Sequence, residues 1–501
     1  MKKFFKTFAC LALVVFSAAC QKELVASSEE SSENQVPVVI TASRPQTKVS
    51  YSENGTSHNL EGSWVESDVI YGFTDGGDKV SFNVTAVDPG TGVATLTQTT
   101  SVSLTDGVKV YAIYCPLKSV SDIEGGELHI DFSTQEKSVI PMLLASEATV
   151  TSNTLSFHFR NLTSIVGIVN PVVMQGSSKK FTSVTISGHN LVSSGTVSVV
   201  AGQLVFTGDA PSKFITKTLG LPDCEHPTVA GARSLSNPIY IVVPAGPIEK
   251  LSILRQGYLF TYDVNKTAAA GNFYKLDNKE FTQVALPKTN LNNLIVNNVR
   301  WSVTNFGATS DSATDLGTVH RWGEETAIAT RNGNTGFYFN TGYDTGFVNY
   351  TGEIYWNGSA YTKYTATDGK TVLDPVDDIV QLTYPGTGWR IPTIEEFNDL
   401  DAQVAAGTLT QTYNVGGTGV QYSDGVNAVF FRANQLVSGG GTGKKTSGRF
   451  WSSSVDTESA NAYNAAHYFD AVYASKTCSS TTTGVMYRQY GFTIRPVMTV
   501  N

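Results

Sequence analysis

The glycine-rich stretch SGGGTGKKTSG, at residues 438–448, is the part of the sequence most similar to a phosphate-binding loop. In such loops, backbone N–H groups cradle the phosphates, a lysine reaches them, and the next Ser or Thr binds Mg²⁺. Here Lys445 occupies the magnesium position, and FWSSS follows at 450–454 instead of a helical pattern. The stretch therefore predicts a surface loop and no nucleotide site.

Other residue types that could do chemistry are too scattered to form a site. The seven histidines show neither HxH nor HExxH spacing, and the sequence contains no GxSxG element. The neighbouring carboxylates of Glu395 and Glu396 would point about 100° apart on a helix, so they cannot act together on one substrate. We predict that the protein is not an enzyme and that it holds no metal and no cofactor.

The cysteines do not indicate a chemical site either. Cys115, Cys224 and Cys478 are more than a hundred residues apart and form no CxxC pair, so neither a disulfide framework nor a zinc knuckle is encoded. Three buried thiols are the favoured state. A bond between Cys115 and Cys224 stays open as an alternative.

Length, composition and charge limit the fold and the partners. A chain of 501 residues exceeds a single core, which stops growing at about 250–300 residues, so two to four domains are expected. With 41% apolar residues, 16% charged residues and 45 glycines, the composition favours β-structure. Without the first twenty residues, 32 basic residues face 43 acidic ones, a net charge of −11, and no basic run occurs. Nucleic acid is excluded as an expected partner.

The first 35 residues are an export signal and a tether. Three lysines precede an apolar run from Phe8 to Phe16, and small residues then lead to Cys20. This arrangement resembles a bacterial lipoprotein box, which implies lipidation of Cys20 and a signal peptide over 1–20. An ordinary signal peptide with an incidental cysteine is the alternative. Residues 21–35, QKELVASSEESSENQ, are too polar to order themselves and predict a flexible tether.

The body of the chain alternates with a period of two. Val80, Phe82, Val84 and Ala86 alternate with polar residues, and the turn DPGTG precedes VATLTQ, which predicts a β-hairpin with one wet face. Similar alternation recurs up to about residue 265. Short strands at this spacing are typical of antiparallel sandwiches.

A series of segments over residues 36–290 resembles the Bacteroidales fimbrillin family. The resemblance implies two tandem transthyretin-like antiparallel β-sandwich domains, 36–155 and 156–290, in a lipoprotein precursor that assembles into pili on the cell surface. The segments are WVESDVI (64–70), YAIYCP (111–116), PMLLAS (141–146), SFHFRNLTSIVGIV (156–169), YIVVPAGPIEKLSILRQG (240–257) and AAGNFYKL (269–276).

Members of that family are trimmed after a basic residue near the N-terminus, which removes a first strand and opens a groove for a strand of another pilin subunit. In this sequence the corresponding region is TASRPQTKVSY, at 41–51. Pro45 follows Arg44 and hinders trypsin-like cleavage, so Lys48 is the preferred processing site and Arg44 the second. As an alternative, both are solvated charges on an edge strand.

A different module is predicted for residues 291–501. It contains five of the six tryptophans and resembles, in order, the Fibrobacter succinogenes major paralogous domain. That family is similar in fold to C-type lectins and formylglycine-generating enzymes, which implies an α+β C-type-lectin-like domain. The segments are WSVTNFGA (301–308), HRWGEE (320–325), GWRIPTIEEFNDL (388–400), RFWSSS (449–454) and YGFTIRPV (490–497).

Inside this module, Thr393 and Glu396 form a capping box for a helix that ends before Gly407. Trp389 and Trp451 are interpreted as framework. The calcium signatures EPN, QPD and WND of sugar-binding C-type lectins do not occur, and the module has one cysteine where the formylglycine enzymes need a pair. Neither calcium-dependent sugar binding nor that enzyme activity is carried over.

Two aromatic and polar stretches are the candidates for ligand binding, because sugar rings stack on aromatic faces while amides and carboxylates hold hydroxyls. The alternative is that these side chains pack beneath long loops. The candidate residues are Trp356, Asn357 and Tyr361 in the first stretch, and His467, Asp470 and Tyr473 in the second.

The sequence thus predicts a mainly β protein that is exported to the outer membrane and cell surface as a lipoprotein. We expect a fimbrial subunit, placed at the tip because a C-terminal domain leaves no strand to donate, that binds a host or bacterial ligand such as a glycan. One alternative is a non-polymerising outer-membrane lipoprotein that captures glycans. A polysaccharide-cleaving enzyme is the other, but no carboxylate pair supports it.

Overall fold

The structure is a computed structural model, and the fold is mainly β, as predicted. No helix among the described residues is long and apolar enough to cross a bilayer. The described residues are 39–43, 52–53, 60–61, 64–137, 139–174, 177–287, 293–310, 312, 315, 317–327, 355, 357, 359–415, 419–432, 435–437, 445–458, 463–474, 477–488 and 491–500.

We call residues 39–161 the first sheet region. Its described residues form twelve strands, and eight of them make one sheet in the order β11-β1-β6-β5-β4-β7-β10-β12. The hairpin predicted over 80–98 is confirmed as β5 and β6, although a register shift after Val84 leaves Ala86 exposed. The strands are β1 (Val39–Ala42), β2 (Ser52–Glu53), β3 (Leu60–Glu61), β4 (Val69–Thr74), β5 (Lys79–Val87), β6 (Ala94–Gln98), β7 (Lys109–Tyr114), β8 (Leu128–Asp131), β9 (Thr134–Gln135), β10 (Leu144–Thr149), β11 (Thr154–Phe157) and β12 (Arg160–Asn161).

The central sheet region has a sheet in the order β15-β21-β22-β24-β14-β19-β18-β9, which closes on itself because β15 also pairs with β18. A three-stranded sheet, β20-β13-β23, lies beside it. The strands are β13 (Ser164–Val169), β14 (Val172–Val173), β15 (Lys180–Ser187), β16 (Ser194–Val200), β17 (Gln203–Gly208), β18 (Phe214–Glu225), β19 (Arg233–Leu235), β20 (Ile239–Val243), β21 (Gly246–Arg255), β22 (Tyr258–Ala268), β23 (Phe273–Asp277) and β24 (Glu280–Val284).

Strand pairing crosses residue 155, the predicted boundary between these regions. β8 pairs with β16, and β9 pairs with β18. Val197, Leu204 and Val242, which follow the boundary, are fully buried in the core of the first sheet region. We call these pairings and side chains the inner seam.

The C-terminal module has two cores, and its second strand, β26, pairs with its last described strand, β37. Its largest sheet runs β27-β36-β33-β34-β35. The elements are β25 (Ile295–Val296), β26 (Val299–Trp301), β27 (Val319–His320), α1 (Ile379–Thr383), β28 (Trp389–Arg390), α2 (Ile394–Ala405), β29 (Thr410–Val415), β30 (Gly419–Ser423), β31 (Ala428–Arg432), β32 (Gln435–Val437), β33 (Lys445–Val455), β34 (Ala465–Ala474), β35 (Thr477–Tyr487), β36 (Phe492–Thr493) and β37 (Val497–Thr499).

Two predictions about local structure in this module have opposite outcomes. The capping box is confirmed: the Thr393 side chain accepts from the Glu396 N–H, and the Glu396 carboxylate accepts from the Thr393 N–H at 2.9 Å. The predicted surface loop over 438–448 is wrong from Lys445 onward, because residues 445–447 pair with β32. Its earlier residues lie outside the described part of the chain.

The C-terminal module packs on the central sheet region through side chains. Leu259, which is fully buried, belongs to a core of the C-terminal module, and Val284 and Leu286 pack against the same core. A Cβ atom added to Gly386 would lie 3.2 Å from the hydroxyl oxygens of Ser183 and Thr185 in β15, which shows how close the two surfaces are. We call this set of contacts the outer seam.

Candidate functional site

The first described strand, β1, lies inside the first sheet and not at its edge. It runs parallel to β11, with Ile40 opposite Leu155, and antiparallel to β6, with Ile40 opposite Leu96. Ile40 and Ala42 point into the core and are buried, because alternate side chains of a strand face opposite sides. The strand has four residues.

The residue that follows β1 is held by three groups. The Ser43 N–H donates to the Phe157 carbonyl oxygen at 2.9 Å, and the Trp64 indole N–H donates to the Ser43 carbonyl oxygen at 3.1 Å. The Ser43 hydroxyl lies 3.2 Å from Nδ1 of His158. These contacts fix the C-terminal end of β1 next to the buried Trp64 ring.

Withdrawal of β1 would leave β6 and β11 without their shared partner and uncover the apolar side chains behind it. Leu96, Leu155 and Phe157 are buried in the same core as Ile40. An unpaired strand edge is a template for another strand. We call the space between β6 and β11 the β1 slot, and its chemistry suits an extended segment with apolar side chains at alternate positions.

The predicted processing and lipidation residues cannot be placed. Lys48, Arg44 and Cys20 lie outside the described residues. β1 ends at Ala42, so it is on the N-terminal side of both processing candidates. These assignments stay predictions.

In the C-terminal module, the predicted residue Tyr361 is buried against an arginine. The guanidinium carbon of Arg488 lies 4.4 Å from the Tyr361 ring centroid and 5.0 Å from that of Trp322. Arg488 is fully buried and donates to the carbonyl oxygens of Lys363, at 3.0 Å, and Tyr463. It thereby joins the stretch around Tyr361 to the residues that precede β34.

The predicted residues of β34 differ in exposure. Asp470 is buried, and its Oδ2 accepts from Nε of Arg449 at 3.0 Å. The guanidinium of Arg449 also lies over the Tyr468 ring, 4.9 Å from its centroid. His467 is half-buried, so of these two predicted residues it is the more accessible to a ligand.

Of the other predicted ligand residues, Asn357 is exposed, and its Oδ1 accepts from the N–H groups of Ser359 and Ala360, each at 2.9 Å, which closes a turn. Trp356 lies outside the described residues, as does the side chain of Tyr473, whose backbone pairs with Thr446 and Cys478. The ligand site stays a prediction.

The chain matches no family model and no curated protein. Among solved structures, it is similar to a candidate cell adhesion protein from Bacteroides uniformis, at 17% identity and a TM-score of 0.33, over 49% of this chain and 97% of that one. A candidate cell adhesion protein from Bacteroides ovatus shares 14% identity at a TM-score of 0.34, over 50% and 96% of the two chains. A fimbrial protein from Bacteroides ovatus shares 12% identity at a TM-score of 0.26, over 93% and 99%.

Sequence reasoning missed Ser43 and His158, which hold the end of β1. Neither residue belongs to a local pattern: His158 is 115 residues away from Ser43 along the chain. Only the proximity of Ser43 to the processing candidates Arg44 and Lys48 could have drawn attention to it. Their roles follow from the pairing of β1 with β11, which depends on the fold.

Proposed function

We propose that the protein is a cell-surface fimbrial subunit that accepts a strand of another pilin subunit in the β1 slot. The observation that carries the proposal is the position of β1, a short strand that is paired on both sides and ends at Ala42, two residues before Arg44. Cleavage after Arg44 or Lys48 would separate β1 from the rest of the chain. The slot would then be open to a partner by β-augmentation.

The energetics favour such an exchange. β1 buries two side chains, Ile40 and Ala42, and only the larger contributes more than a methyl group. Full burial of an Ile side chain is worth about 1.5–3 kcal/mol. A longer donor strand with more apolar side chains would restore the same ladders and add further burial.

Strand β37 is already paired within the C-terminal module. β37 pairs with β26 on one side and β28 on the other, inside the C-terminal module. A strand paired on both sides in its own module is not free to complete the sheet of a neighbour. We propose a tip subunit, with the C-terminal module as an adhesin head.

We place the ligand surface of that head around Trp356, Asn357 and His467, and its ligand would be a host or bacterial surface molecule of the carbohydrate class. Tyr361, Asp470 and Tyr473 complete the set as candidates, the first two as buried supports. Lipidation of Cys20 would hold the precursor in the outer membrane before assembly.

A disulfide lock tests the slot. Thr41 and Ser156 are opposite each other in β1 and β11, and their hydroxyl oxygens are 3.2 Å apart. The double variant Thr41→Cys/Ser156→Cys should fix β1 in place, so that the protein is exported but does not enter fibres until a reductant is added. Each single variant is the control. Incorporation of the oxidised double variant at the level of the single variants would overturn the proposal.

Two further measurements separate the tip adhesin from the glycan-capturing lipoprotein. The mass of the mature N-terminus shows whether Cys20, its lipid and β1 are retained, which the lipoprotein requires. Immunogold labelling on fibres then distinguishes tip from shaft.

Arrays of glycans and matrix proteins test the head in the full chain. Binding should fall at least tenfold in Trp356→Ala and stay unchanged in Tyr413→Ala, an exposed aromatic residue elsewhere in the module. Equal binding by both variants would remove the assigned surface.

A further inference from the structure

Four charged side chains meet at the outer seam. His189 follows β15, Lys213 precedes β18 and Glu249 lies in β21, all in the central sheet region, whereas Glu325 follows β27 in the C-terminal module. We call these four residues the charged latch.

The imidazole of His189 bridges two carboxylates. Its Nδ1 lies 2.6 Å from Oε2 of Glu249, and its Nε2 lies 2.8 Å from Oε2 of Glu325. An ionised carboxylate only accepts hydrogen bonds, so both ring nitrogens must carry hydrogen, and the ring must be the imidazolium. A neutral ring has one N–H group and can keep only one of the two bonds.

The neutral ring would keep its hydrogen bond to one of the two carboxylates in preference to the other. Glu249 also accepts, through Oε1, from the backbone N–H of His189 at 3.1 Å, so it stays next to His189 whatever the charge of the ring. Glu325 has another partner, because Nζ of Lys213 lies 2.7 Å from its Oε1. The bond that the neutral ring gives up is therefore the one that joins the two modules.

We propose that His189 is a proton-operated latch: as the imidazolium it ties the C-terminal module to the central sheet region through Glu325, and on losing a proton it releases Glu325 and stays with Glu249. The apolar part of the outer seam remains in both states. Docking of the head is thus tighter in acid than in base.

The charges around the ring agree with this direction. The bond to Glu249 raises the pKa of His189 above its usual value, burial opposes the rise, and the charge of Glu325 adds to it. Lys213 and Lys250 are the cations nearby, each next to one of the carboxylates. Because the pKa is raised in the folded protein, the contribution is full below about pH 6.5, the unfolded value, and is lost as the pH rises through the folded value.

Histidine NMR titration of the full chain tests the bond directly. The His189 resonance, assigned by its loss in His189→Gln, should titrate at a lower pH in Glu325→Gln than in the wild type. An identical titration in the two proteins would overturn the proposal, since it would show no contact with Glu325.

Urea unfolding followed by tryptophan emission tests the consequence, because five of the six tryptophans lie in the C-terminal module. The urea concentration at the midpoint should be lower at about pH 9 than at about pH 5. This decrease should be larger in the wild type than in His189→Gln or Glu325→Gln. His129→Gln is the matched control, because His129 in β8 pairs at 3.0 Å with Asp209, across the inner seam and not with a residue of the charged latch. It should keep the wild-type difference. Retention of the full difference by His189→Gln would also overturn the proposal.

Discussion

At the inner seam, strands that precede residue 155 pair with strands that follow it, whereas at the outer seam the contacts between the two sides come from side chains. β8 and β9 give their backbone hydrogen bonds to β16 and β18, so the first and central sheet regions share ladders as well as a core. The C-terminal module is held by Leu259, by Gly386 against β15 and by the charged latch.

The difference predicts different cooperativity. A shared ladder cannot be broken without unpairing both partners, so the first and central sheet regions should open as one unit. An interface formed by side chains resembles a contact between separate domains and permits separate opening. The β1 slot therefore lies in the unit formed by the first and central sheet regions, and the ligand candidates lie in the C-terminal module.

The largest expected effect comes from Leu204→Ala. Leu204 is a fully buried residue of β17 that packs in the core of the first sheet region, so its truncation should cost about 2–5 kcal/mol of unfolding free energy. Hydrogen exchange should show that β7 and β21 lose protection together. Leu259→Ala, equally buried but at the outer seam, is the matched comparison and should leave β7 protected. Loss of β17 protection alone in Leu204→Ala would contradict the shared unit.

A smaller effect is expected for Gly386→Ala. Gly386 has a φ of +75°, so any side chain costs about 1–2 kcal/mol there, and its Cβ would also press on Ser183 and Thr185. Gly407 has the same φ of +75° but no atom within 4 Å of its Cβ position, so Gly407→Ala reports the backbone cost alone. The unfolding temperature of the C-terminal module should fall further in Gly386→Ala than in Gly407→Ala. Equal losses would mean that this contact adds nothing to the outer seam.

The smallest effect is expected for Lys213→Gln. The Lys213–Glu325 pair is partly buried at the edge of the outer seam, and pairs of this kind contribute about 0.2–1 kcal/mol. The C-terminal module should unfold at a slightly lower urea concentration, and high salt should reduce the difference from the wild type. A loss above about 2 kcal/mol would show that the outer seam depends on its charges more than on its apolar contacts.

The features that sequence alone predicted are local. The β5–β6 hairpin is encoded by two-residue alternation and the DPGTG turn, and the start of α2 by the Thr393 and Glu396 pair, all within about twenty residues. Both are confirmed. The bulge that turns Ala86 outward was missed because it depends on pairing with β6 and not on the strand's own sequence.

Long-range pairing accounts for what could not be predicted. β8 and β9 are short, and nothing in their residues indicates that they pair with strands about 65 to 80 residues away. Likewise, Tyr361 and Asp470 are of residue types that bind ligands, yet each packs against an arginine. Arg488, directly after β35, lies over Tyr361, and Arg449 in the neighbouring strand β33 pairs with Asp470. Burial of such residues is decided by partners that no local pattern reveals.

The β1 slot has one more property. Its walls run in opposite directions, since β1 is parallel to β11 and antiparallel to β6. An incoming strand of either direction would therefore meet one parallel and one antiparallel neighbour, and the ladders alone would not choose between them. Side-chain contacts must therefore determine the direction of insertion. One such contact is the fit of apolar side chains at the Ile40 and Ala42 positions. The other is the Trp64 indole N–H at one end of the slot, which can donate a hydrogen bond to a carbonyl oxygen of the incoming strand.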